Sequence, residues 1–91
     1  MDTFNNDLKS SFNKNLCGFI KKKFFCPFKI NGQIVSMNKY AKACELSSST
    51  ISKINEESGY NIPILTIYQI CTFEKISLEI FFKEFSKNLK L

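Results

Sequence analysis

Three times in 91 residues the chain sets a serine after an apolar residue and four positions before another: Val35-Ser36 with Tyr40, Leu46-Ser47 with Ile51, and Ile76-Ser77 with Phe81. A serine hydroxyl placed this way accepts a bond from a backbone N–H of the first helical turn, while the flanking apolar pair packs across the entry. Three helix starts are thus predicted before any periodicity is counted. Behind them, helix two carries Met37, Tyr40, Ala41 and Cys44 on one face, helix three carries Ile51 and Ile54, and the last carries Phe81, Phe82, Phe85 and Leu89.

Two more helices follow from spacing. Leu8, Phe12, Leu16, Phe19, Ile20 and Phe24 recur every three or four residues, the helical period, and Pro27 stops that helix. A fourth begins near Pro63, which suits a first turn, and contains Ile67, Ile70 and Cys71. Only "FKINGQIV" at 28–35 reads as strand, with apolar residues around Asn31-Gly32, a dipeptide favoured in two-residue hairpin turns. The expected fold class is all-α: five helices in one compact domain over 1–91, with residues 1–6 open to disorder and a small β-hairpin or extended loop over 26–35 between helices one and two.

At 44% hydrophobic, a chain this long can bury a small core. Its apolar runs fall far short of the roughly 20 residues needed to cross a bilayer, and no secretory leader is read at its start. Cys17, Cys26, Cys44 and Cys71 are irregularly spaced, and the chain has no histidine. They read as ordinary buried thiols of a cytoplasmic protein, with no metal and no cofactor. Without an acid–base pair or a glycine-rich phosphate loop, an enzyme is the least favoured class.

The turn between helices two and three carries the functional reading. Between Cys44 and Ser47 there is room only for Glu45 and Leu46, so the two helices must cross steeply, as in a helix-turn-helix. Ser47 is a cap, and Ser48, Ser49 and Thr50 form the first turn of a helix held inward by Ile51 and Ile54. At 100° per residue the outward stripe is Ser49, Ser52, Lys53 and Glu56, small enough to enter a groove about 12 Å wide.

Here the residues resemble a family. "SMNKYAKACELSSSTISKINEE" and "YNIPILTIYQICTFEKISLEIFF" are similar to the Cro and phage-repressor type of helix-turn-helix regulators, the XRE-like proteins, over roughly residues 36–82. The resemblance implies a five-helix repressor-like DNA-binding domain with its helix-turn-helix unit at 36–57. By position it implies that Ser48, Ser49 and Lys53 approach base edges. Thr50 and Ser52 lie beside them, toward the backbone, and Ser36 and Ser47 direct helix N-terminal amides at phosphates. Four departures stand out. Glu45 occupies the turn where the family has Gly, Asn55 stands in place of Glu, and Glu74 in place of an apolar residue. Cys26–Val35 is longer than the usual connection, and serves either as a wing touching DNA through Lys29 or as padding over the core.

Charge adds one constraint. All 13 basic residues are lysine, against 8 acids, for a net +5, yet residues 36–60 are neutral. Phosphate attraction is therefore expected from Lys21, Lys22, Lys23 and Lys29; a run at the end of helix one also complements the helix dipole. The leading expectation is a transcriptional regulator bound to double-stranded DNA as a homodimer, with Phe82, Phe85 and Leu89 either closing the core or pairing with a second copy. The alternative is a protein-interaction module on the same fold, antitoxin-like or anti-repressor, without a membrane role.

Overall fold

All three serine caps form. The hydroxyls of Ser36, Ser47 and Ser77 each accept the backbone N–H three residues on, from Lys39, Thr50 and Ile80, at 3.1 Å. A computed structural model describes residues 2–89, with side chains from Asp7 onward. The order is α1 (Asp2–Phe24), β1 (Lys29–Ile30), β2 (Gln33–Ile34), α2 (Met37–Ala43), α3 (Ser48–Asn55), α4 (Ile64–Glu74) and α5 (Leu78–Asn88). The all-α class with a small hairpin between the first two helices is thus the observed one. Of the segment expected to be open to disorder, Met1 lies outside the described residues and the backbone is helical from Asp2.

The hairpin is antiparallel, pairing Lys29 with Ile34 and Ile30 with Gln33. Asn31 and Gly32 both have positive φ, 52° and 79°, which makes a two-residue turn whose twist suits the strands. The segment packs over the core through Phe28, whose ring lies 5.0 Å from Phe25 and 5.2 Å from Tyr40, while Lys29 stays exposed.

α1 packs on α3 and α5, α2 on α3, and α4 on α5. Two aromatic clusters fill the space between them. Phe81, fully buried, meets Phe19 at 5.3 Å and Phe82 at 4.9 Å; Tyr40, also fully buried, meets Phe25 at 5.6 Å and Phe73 at 5.4 Å. Phe85 is buried and Phe82 and Leu89 pack against the core, so the apolar stripe of α5 closes the fold instead of standing free for a second copy.

One expectation needs correction, and one end of an apolar repeat lies outside the core. Leu8 and Phe12 share the apolar face of α1, yet they are 57% and 44% exposed. A helix of 23 residues is about 35 Å long, and the molecule's two shorter extents are 25 and 21 Å, so the first turns of α1 run past what the other helices can cover. Cys26, expected among the buried thiols, is exposed, whereas Cys17, Cys44 and Cys71 are buried. It sits where the chain leaves α1 for the hairpin and has no helix face to share.

Glu74, polar where an apolar residue is usual, also gains an explanation: its carboxylate accepts the Tyr40 hydroxyl at 2.6 Å. A buried tyrosine hydroxyl needs such a partner.

The α2–α3 turn closes on a left-handed residue. The N–H of Leu46 donates to the Ala41 carbonyl at 2.8 Å and that of Glu45 to Lys42 at 3.0 Å, with Glu45 at φ 61°. The turn thus keeps the backbone shape that glycine favours. Glu45→Gly is expected to raise stability by about 0.5–1 kcal/mol, because the left-handed strain exceeds glycine's extra entropy in the unfolded chain. Urea denaturation measures it; a loss would show that the Glu45 side chain makes a stabilising contact.

Candidate nucleic-acid interface

α3 stands on two fully buried side chains, Ile51 and Ile54, which set which way its remaining faces point. Ser49, Lys53 and Glu56 are exposed, and Ser48, Thr50 and Ser52 are half-buried along the edges of that stripe. Ser47 is spent on capping, and its oxygen also lies 2.9 Å from the Thr50 hydroxyl, so those two side chains hold each other at the helix start. What they leave to a ligand is the polar N-terminal turn itself.

Ser36 and its helix α2 sit on the other side of the turn. Tyr40 and Ala41 face inward, and Lys39 and Lys42 are exposed. These two lysines were missed from the sequence as backbone candidates, although they lie opposite the buried pair on the first helix of the bend, the helix that crosses the phosphate backbone in helix-turn-helix complexes.

The lysines at the end of α1 do not form one patch. Lys21 reaches Glu57, just past α3, at 3.0 Å. Lys23 instead pairs with Glu84 on α5 and lies over the Phe19 and Phe24 rings. Lys22 is exposed and lines a groove with Lys14, Glu57 and Asn88. Lys29 lies apart, on the hairpin, in a groove with Glu74 and Lys75 at the end of α4. Lys21 therefore acts locally on the 36–60 segment: with Glu57 paired, Lys39, Lys42 and Lys53 stand against only Glu45 and Glu56 there.

Two further residues bear on this surface and were not legible from spacing. The Gln69 side-chain amide, from α4, donates to the carbonyls of Cys44 at 3.3 Å and Glu45 at 3.0 Å. It satisfies acceptors that the end of a helix leaves without partners and ties the bend to α4. Tyr60, in the loop after α3, receives the Lys53 ammonium over its ring, 5.6 Å from the centroid.

The three buried thiols have little nucleophilic character. Burial pushes Cys44 and Cys71 up to about 11, reinforced in both by the Glu74 carboxylate, and burial also raises Cys17. Thiols held that high stay protonated at neutral pH. Among the described residues no helix is long and apolar enough to cross a membrane, and no cluster of three or more His, Cys, Asp or Glu side chains is placed to hold a metal ion. The chain matches no family model, no curated protein and no solved structure with which it was compared.

Proposed function

We propose that this chain is a sequence-specific DNA-binding transcriptional regulator that inserts α3 into the major groove, in the manner of the phage or mobile-element repressors its 36–82 segment resembles. The observation that carries the reading is a small polar stripe, Ser49 and Lys53 with Ser48 and Ser52 at its edges, exposed on a helix held from behind by Ile51 and Ile54 after a sharp bend. Ser48, Ser49 and Lys53 reach base edges; a lysine ammonium donates to guanine O6 and N7, whereas serine discriminates weakly. Ser36, Ser47, Thr50 and Ser52 face the phosphate backbone, joined by Lys39 and Lys42. Lys22 and Lys29 add charge as they stand, while Lys21 and Lys23 contribute only on leaving Glu57 and Glu84. The active form is a cytoplasmic homodimer on a two-fold operator, with one α3 in each half-site.

Selection of bound duplexes from a random pool, repeated with Lys53→Ala, tests this. The expected result is a defined site for the wild type, and for the variant a relaxed preference at one base pair with residual affinity. No enrichment at low salt overturns the proposal.

A second reading has its own support. Ile64, Leu65 and Tyr68 on α4 are 60%, 63% and 52% exposed, and the groove beside Tyr68 runs to Glu45 in the bend. An apolar face there suits a protein-interaction module whose ligand is another protein. A co-purifying partner retained in high salt, with no duplex selected, favours that reading, because apolar contacts resist salt as phosphate contacts do not.

A further inference from the structure

Lys53 is the one charged residue within α3, so whatever fixes its ammonium fixes the strongest donor on the proposed reading face. A lysine side chain is long and rotamer-rich, and ordering it on binding opposes affinity and blurs discrimination. Here the ammonium already lies over the Tyr60 ring at 5.6 Å, within reach of the ring's negative face.

The segment that carries the ring is tied to the core. The Tyr60 carbonyl accepts the Cys17 thiol of α1 at 3.4 Å, and Tyr60 packs against the core. Ile62, two residues on, is buried. Between α3 and Tyr60 the chain turns through two left-handed residues, Glu57 at φ 55° and Gly59 at φ 94°, the second of which suits glycine. The segment is thus bounded by a left-handed backbone at Gly59 on one side and by the buried Ile62 on the other.

We infer that Tyr60 is a positioning residue for DNA readout: it holds the Lys53 ammonium in one place on the α3 face and so sets the base preference at the pair Lys53 contacts. The inference rests on the DNA-binding reading above. Tyr60 touches no base; it acts through Lys53. In this arrangement the preference depends on an aromatic face at position 60 and not on its hydroxyl.

The test compares Tyr60→Leu, which keeps apolar bulk for packing, with Tyr60→Phe, which keeps the ring, each alone and combined with Lys53→Ala. Two readouts are used: the ring-current shift of the Lys53 side-chain methylenes by NMR, and the affinity ratio between the selected duplex and one altered at the Lys53-dependent base pair. Expected are an upfield methylene shift in wild type and Tyr60→Phe that is absent in Tyr60→Leu, and a ratio that falls about two- to fivefold in Tyr60→Leu and stays at wild type in Tyr60→Phe. With Lys53→Ala already present, Tyr60→Leu is expected to change the ratio no further. An unshifted wild-type methylene overturns the platform. A present shift with a ratio unmoved by Tyr60→Leu, or moved equally without Lys53, overturns the positioning role while leaving DNA binding standing. A wild type that selects no duplex overturns the DNA reading and this inference with it.

Discussion

Phe81→Ala is expected to destabilise the protein by about 3–5 kcal/mol, the usual cost of emptying a fully buried phenylalanine site. A chain of 91 residues has a total stability of roughly 5–14 kcal/mol, so one substitution removes a large share. The site has little capacity to collapse. Phe81 meets Phe19 from α1 edge-on, stacks near-parallel to Phe24, and meets Phe82 from its own helix, so three rings border the space a methyl group would leave. It also lies in the first turn of α5, four residues after the Ser77 cap, so loss of the ring loosens the docking of α5 on α1 and α4 together. Urea denaturation with matched slopes for wild type and variant measures the change. A loss below about 1 kcal/mol would show that α5 is not the closing element of the core.

Ser49→Glu is expected to act in the opposite way, sparing the fold while removing binding. Ser49 occupies the second position of α3, exposed, in the turn that follows the Ser47 cap. A carboxylate there complements the helix dipole, so stability is expected to stay constant or rise by about 0.3–1 kcal/mol. The same charge aimed into the major groove faces phosphates on both walls, and duplex affinity is expected to drop by about tenfold or more at low salt. Ser49→Ala, which adds no charge, serves as the reference and is expected to bind within about threefold of wild type, since a serine hydroxyl contributes little discrimination. Titration of a fluorescent duplex alongside thermal melting reads both effects. If Ser49→Glu binds like Ser49→Ala, α3 does not enter the groove.

These two substitutions mark the boundary between what was legible in the residues and what was not. The helix starts were legible because a cap is a local contract: Ser36, Ser47 and Ser77 need only the amide three residues away, and the staple residues four away, to declare themselves. The Asn31-Gly32 turn was legible for the same reason, since its positive φ angles are an intrinsic preference of those residues. The outward stripe of α3 followed from two isoleucines and the helical period.

What failed was every inference that needed to know where another element stops. Periodicity gave Leu8 and Phe12 the same standing as Leu16 and Ile20, because a repeat records the face of a helix and not the reach of its neighbours. The lysines after Ile20 looked like one basic cluster in the sequence. In the fold Lys21 turns to Glu57 and Lys23 to Glu84, since helical side chains two residues apart diverge by about 200° and meet partners 36 and 61 residues away. Gln69 and Tyr60 were invisible for the same reason: neither has a local pattern, and each acquires meaning only from a carbonyl or an ammonium on a distant segment.

By itself, then, the sequence determined the helices, their caps, the hairpin turn and the inward faces, because these depend on interactions within about four residues. Only the tertiary structure decided which lysines remain free, what orders Lys53, how α4 braces the bend and which thiol is left at the surface. Those outcomes depend on long-range pairing and burial, which come into existence only when the elements are packed together.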